Sequence, residues 1–200
     1  SFIKNDFDRT KQYQEEASRS SVSKSFMNET DFLSSLEMKS SILTFDKFSV
    51  PRVSQLSQRS NQANLRTIRY TEAEIEQIIE SDNYITYSVS LEDKFGDYGL
   101  ISVVILQITG NRTVFIDNWI MSCRVLKRGV ERFIMNEIIT DLILRRKIKL
   151  YAEYLPTKKN VIVKDLYSSL GFLNYCENLN KWKLDIEVYS AEKTQIRRKK

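Results

Sequence analysis

Cys123 is the residue whose surroundings read most clearly as chemistry. It follows the apolar run Val114 to Met121 and precedes an amphipathic segment, with Asp117 upstream and Arg124 and Arg128 downstream. Guanidinium groups and a helix N-terminus stabilise a thiolate, the nucleophilic form of cysteine, so this placement suits acyl transfer through a thioester. The other fate of such a residue is a small buried hydrophobe at a strand end. The chain has no histidine. Ser-His-Asp triads, Cys-His dyads and His-ligated metal sites are therefore excluded, and a general base must be a carboxylate, Tyr or Lys. Asp117 and Glu153 are the carboxylates nearest the expected cleft, where either could instead pair with an arginine. Cys176 reads as a packing residue, and two cysteines alone cannot build a structural zinc site.

These groups need a scaffold, and its elements are legible. Thr71-Glu72-Ala73-Glu74 is a capping box ahead of Ile75, Ile78 and Ile79 at helical spacing. Strands are expected over 40–45, 84–91, 100–108, 114–121, 148–154, 172–176 and 181–188, the last two flanking a turn at 177–180. Helices are expected over 49–61, about 71–80, 130–145 and 160–170, with Pro51 in the first turn of one and Gly171 as a left-handed stop for another. A helix between the strands at 114 and 148 requires a parallel crossover in an otherwise antiparallel sheet, which gives an α+β architecture. Residues 6–27 form a polar helix with too few apolar positions to bury much alone.

Composition narrows the function. Apolar residues make up 42% of the 200 and charged residues 28%, as in a globular chain with a core. The net charge is +5, but Lys193, Arg197, Arg198, Lys199 and Lys200 against Glu192 place +4 of it after Ser190. That run reads as a solvated end, so nucleic acid is not expected. The longest apolar stretch, Leu100 to Leu106, is far short of the ~18 residues a membrane helix needs, and no export signal is visible. A cytoplasmic location follows from these readings and from the two thiols.

The strand–loop–helix unit Ile116 to Gly129 and the Asn160, Tyr167, Gly171, Phe172 spacing resemble the GCN5-related N-acetyltransferase (GNAT) superfamily. Its loop pattern R/Q-x-x-G-x-G/A is met by Arg124 and Gly129, whereas Lys127 stands at the first glycine. The resemblance implies that Arg124, Val125, Lys127, Arg128 and Gly129 face the diphosphate of CoA and that Asn160 meets the pantetheine arm. It also implies that Tyr167 protonates the leaving thiolate. Asn64, Thr67 and Arg69 would border the acyl side, with Arg69 on a glycerate carboxylate or phosphate. The groove would lie between the strands at 114 and 148, open toward Cys123.

A longer resemblance rests on blocks at 32–39, 61–70, 94–100, 121–126 and 153–160. These look like the C-terminal part of FkbH-like proteins, which couple a haloacid dehalogenase (HAD)-like phosphatase to a GNAT-like domain. What this implies is glyceryl transfer from a phosphoglycerate-derived donor to the phosphopantetheine of an acyl carrier protein, in polyketide-type biosynthesis. Cys123 would carry the glyceryl group, and Lys158 and Lys159 with the two arginines would meet the carrier. The expected divisions are an arm at 1–37 leaving an N-terminal HAD-like domain, a GNAT-like domain at 38–189 and a basic tail at 190–200. Asp6-Phe7-Asp8-Arg9-Thr10 matches the phosphatase motif D-x-D-x-T only superficially, since no hydrophobic strand precedes it. The alternatives are acyl-CoA-dependent N-acetyl transfer and a non-catalytic carrier-docking module. No metal is expected.

Overall fold

The computed structural model describes residues 2–176 and 180–199, with side chains from Thr10 onward. The expected turn at 177–180 thus falls mostly outside the described residues. The helices are α1 (Phe2–Ser23), α2 (Glu29–Ser35), α3 (Val50–Arg59), α4 (Glu72–Glu80), α5 (Val130–Leu144) and α6 (Leu166–Ser169). The strands are β1 (Lys39–Leu43), β2 (Tyr84–Asp93), β3 (Gly96–Ile108), β4 (Thr113–Met121), β5 (Lys149–Glu153), β6 (Leu173–Cys176), β7 (Lys181–Asp185) and β8 (Arg197–Arg198). One eight-stranded sheet runs β6-β7-β5-β4-β3-β2-β1-β8. It is mostly antiparallel, with the expected parallel β4–β5 pair, and β8 also lies parallel to β1. None of the described helices is long and apolar enough to cross a membrane.

β3 shows why the sheet is covered on both sides. Val104 and Leu106 join the core that α5 covers with Phe133, Ile134, Ile138 and Leu142. Val103 and Ile105, one step out of phase, meet Val53 of α3 and Ile75 and Ile78 of α4. α4 starts at the expected capping box, with the Thr71 and Glu74 side chains each bonded to the other's backbone N–H. α5 returns the chain over one face and sets β5 beside β4.

Two expectations are corrected, and the polar helix gains an anchor. The helix at 160–170 is broken into a short 3-10 turn at Val161–Val163 and a single turn, α6. The β-branched run Val161-Ile162-Val163 restricts side-chain freedom in a helix and accounts for the break. The basic tail is not a solvated end: Ile196 is buried, the Arg197 N–H donates to Met38 O (3.0 Å) and the Lys199 N–H to Ser40 O (2.7 Å). Lys199 and Arg198 meet Glu92 and Glu137. Finally, the polar helix docks on this domain by charge. Arg19 is buried with Asp93 at the end of β2, through Nε to Oδ2 at 2.7 Å and Nη2 to Oδ1 at 2.9 Å, and lies over the Tyr98 ring.

Candidate active site

β4 and β5 pair only from Thr113 to Phe115 against Lys149 to Tyr151, and β4 runs on alone to Met121. Past the divergence the β4 backbone needs partners. Residues 63–65 supply them. The Leu65 N–H donates to Trp119 O (3.1 Å), the Met121 N–H to Ala63 O (2.8 Å), and Asn64 faces Ile120 as an antiparallel bridge. On the opposite flank the Leu155 N–H donates to Leu65 O (2.9 Å) and Asn160 Nδ2 to Asn64 O (3.0 Å). The groove expected between these strands is therefore filled by the chain's own backbone. The sequence signal for this was weak, because the alternation in Asn-Gln-Ala-Asn-Leu-Arg covers only Gln62 to Arg66 and the segment has no β-branched residue.

Arg66 follows that segment and gathers the expected bases. Its Nη1 donates to Asp117 Oδ1 (2.9 Å) and to Asp117 O (2.8 Å), and its Nε donates to Glu153 Oε2 (3.1 Å). The Tyr70 hydroxyl donates to Asp117 Oδ2 (2.8 Å), and burial together with the Asp117 charge pushes that phenol far above its ordinary pKa. Asp117 and Glu153 thus stand together as an arginine-bridged pair. The Arg66, Asp117 and Glu153 side chains remain 19%, 22% and 18% exposed, so water reaches the bridge.

Asn160 and Tyr167 lie behind the same wedge. Asn160 is fully buried and saturated. Beyond Asn64 O, its Nδ2 donates to Leu155 O, while its Oδ1 accepts from the Thr157 N–H, the Thr157 hydroxyl and the Tyr154 hydroxyl. It ties loop to wedge instead of presenting free polar atoms to a pantetheine arm. Tyr167 is fully buried against Phe172 and Trp182, and its hydroxyl has no partner among the described residues. Burial drives its pKa up, so it stays protonated, with the charges of Arg66 and Glu153 acting on it in opposite directions. A buried unsatisfied hydroxyl costs ~1–3 kcal/mol. Tyr167→Phe is accordingly expected to raise stability by about 1 kcal/mol in urea unfolding, and a loss would mean the hydroxyl has a partner.

Of the expected acyl-side residues, Asn64 is buried and closes a turn on its own segment. Its Oδ1 accepts from the Thr67 N–H (2.8 Å) and its Nδ2 donates to Ile68 O (3.0 Å). Thr67 and Arg69 are exposed, Thr67 with a left-handed φ of 57° and Arg69 bonded to Asn61 Oδ1 (2.6 Å). Cys123 is exposed and opens a 3-10 turn, Cys123–Val125, immediately past β4. The cations expected to flank it are engaged elsewhere. Arg124 donates to Tyr98 O (3.3 Å), and Arg128 bonds the Tyr98 hydroxyl and pairs with Glu16 and Asp93. Val125 is buried.

No family model matches the chain, and no curated protein matches it. Solved structures do. The Escherichia coli ribosomal-protein-S18-alanine N-acetyltransferase is 17% identical, over 74% of this chain and 94% of that one, with a TM-score of 0.54. Spermidine N-acetyltransferase from Vibrio cholerae, in complex with CoA and spermine, is 14% identical over 74% and 96%, with a TM-score of 0.56. Ard1 from Thermoplasma volcanium is 15% identical over 72% and 94%, with a TM-score of 0.52. The chain has the GNAT fold.

Lys127 has φ 66° and Gly129 φ 74°, so the position where glycine was expected does carry the conformation that favours it. A cavity of about 490 Å³ opens beside Lys127, Gly129, Leu166 and Ser169. Glu131 also lines it; burial raises its pKa, against the nearby Glu131 and Lys127 backbone N–H groups, which favour its charged form. An acidic side chain beside a helix N-terminus competes with a bound anion for that end. The wedge itself is occupied by residues 63–65. Glu131→Ala is expected to tighten CoA binding about tenfold, ~1.4 kcal/mol, in calorimetry. Unchanged affinity would show that the carboxylate is no barrier.

Proposed function

We propose that this chain is an acyltransferase that takes its acyl group from a pantetheine thioester, with an amine as acceptor in the manner of an N-acetyltransferase. The observation that carries this reading is the β4–β5 divergence itself. There the β4 backbone is held by residues 63–65 in place of a neighbouring strand, the Arg66-bridged carboxylates lie beside it, Tyr167 is buried behind it, and Cys123 is exposed just past the strand. An extended amide-bearing chain can pair with such an edge as a strand would. In this chemistry the acceptor nitrogen bonds to the acyl carbon, the carbon–sulfur bond breaks and the thiolate takes a proton. Tyr167, held neutral by burial, is the group we assign to give that proton, and Asp117 or Glu153 to receive the one the amine loses.

A second reading, glyceryl transfer to a carrier protein through Cys123, is favoured by one specific feature. Carrier-borne pantetheine ends in a single phosphodiester, so it makes no demand on the loop where Glu131 already sits. In that reaction the Cys123 sulfur takes the acyl carbon, the donor's carbon–sulfur bond breaks, and a second exchange passes the acyl group to the carrier thiol. Intact-protein mass spectrometry separates the readings. With acetyl-CoA and a polyamine or N-terminal peptide, acetylated acceptor and an unmodified chain support the first. A glyceryl adduct that maps to Cys123 and disappears in Cys123→Ala supports the second. Neither product, with either donor, would refute acyl transfer.

A further inference from the structure

We infer that residues 63–66 form a displaceable strap, which occupies the edge of β4 in the resting protein and leaves it when a pantetheine thioester binds. The inference rests on the acyl-transfer reading, since it is that substrate's place the strap holds. Residues 63–65 satisfy β4 through two main-chain bonds, at Trp119 O and the Met121 N–H, and reach the other wall through Leu65 O and Asn64 O. Ala63 and Leu65 also bury their side chains in the core, so opening uncovers both, while the backbone bonds can be replaced one for one by a bound extended chain bearing amides.

Three independent features mark the strap as a latch that can open. Its main side-chain anchor, Arg66 bridging Asp117 and Glu153, is water-accessible, and both carboxylates can be solvated once it leaves. Thr67, immediately after it, adopts a left-handed backbone that a β-branched residue disfavours, so the closed strap carries local strain. Within reach of the Arg66 and Glu153 charges, the Tyr167 hydroxyl is buried without a partner among the described residues, a group the closed state leaves unsatisfied. Opening costs the ion bridge and the burial of Ala63 and Leu65, which the bound thioester must offset. Arg66 therefore acts as a positioning residue that sets how readily the thioester gains entry.

Two measurements on the full chain test this. In amide hydrogen exchange, the Leu65, Met121 and Leu155 N–H groups are expected to exchange as one unit, ahead of β3. Arg66→Ala should speed that unit at least tenfold without changing the β3 amides. Exchange of these three only with global unfolding would overturn the strap. The second measurement is a reversible lock, pairing Asn64→Cys with Ile120→Cys at the facing positions of the bridge. Oxidation should abolish transfer from acetyl-CoA or S-glyceryl-pantetheine and reductant should restore it, with Ile120→Cys alone insensitive. Undiminished transfer in the oxidised lock would overturn the strap while leaving the function intact. Absence of transfer in the wild type would instead refute the function, and the exchange data would still decide the strap.

Discussion

Asp93→Ala is expected to destabilise the protein by about 3–5 kcal/mol, because it removes one partner of a buried ion pair and leaves the other charged and dry. The Asp93 carboxylate accepts from Arg19, from the Phe95 and Gly96 N–H groups and from the Tyr98 hydroxyl, and Arg128 lies 3.7 Å away. Burial alone would raise its pKa, but Arg19, the Phe95 amide and Tyr98 outweigh it and hold the carboxyl below the usual range. The sign of the pH effect follows. The stabilisation is fully present above the unfolded value of about 3.9 and is lost as pH falls through the lower folded value. Urea midpoints measured across that acid range should therefore fall for the wild type, and Asp93→Asn should flatten the dependence. An unchanged slope in Asp93→Asn would contradict the assignment. Proteolysis should cut α1 in either variant, since Arg19 is its buried anchor.

The second large effect is at Asn160. Alanine there deletes both donors to Asn64 O and Leu155 O and the acceptor shared by Thr157 and Tyr154. Unmet buried groups cost ~1–3 kcal/mol each, so a total near 3–5 kcal/mol is expected after partial relaxation. Asn160→Asp keeps the acceptor but turns a buried carboxylate oxygen on the Asn64 and Leu155 carbonyls, and should destabilise at least as much as alanine. A loss below about 1 kcal/mol in Asn160→Ala would mean that water replaces these bonds and that the wedge does not depend on this side chain.

How far the sequence foretold this molecule depends on the kind of signal. The β2–β3–β4 meander and the α4 capping box were legible because alternation and capping are local. The α5 crossover was legible from a long apolar period, and Gly171 marked a left-handed turn correctly. The site was harder. Asp117, Glu153, Asn160 and Tyr167 do converge, yet the residue that joins two of them, Arg66, lies about fifty residues from one and nearly ninety from the other. No local pattern reports such a contact. The strap was missed for a related reason: its backbone pairs with β4 in a segment whose side chains have no strand character. The tail misled because charge dominated its composition, while the one informative residue was Ile196, buried just ahead of the exposed Arg197, Arg198 and Lys199.

The relation between Cys123 and its arginines shows the limit of reading chemistry from proximity in sequence. Arg124 and Arg128 are near the thiol along the chain, but both turn to Tyr98. What Cys123 retains is exposure in the turn just past β4.

Amide chemical shifts are the most direct probe of the proposal that the β4 edge is where a thioester's pantetheine arm lies. On titrating S-acetyl-pantetheine into the isotopically labelled protein, the largest changes should fall on Met121 and Leu65, with Leu155 following as its bond to residue 65 is lost. Saturable shifts confined to another surface, with these three amides unmoved, would contradict the assignment of this wedge as the acyl-transfer site.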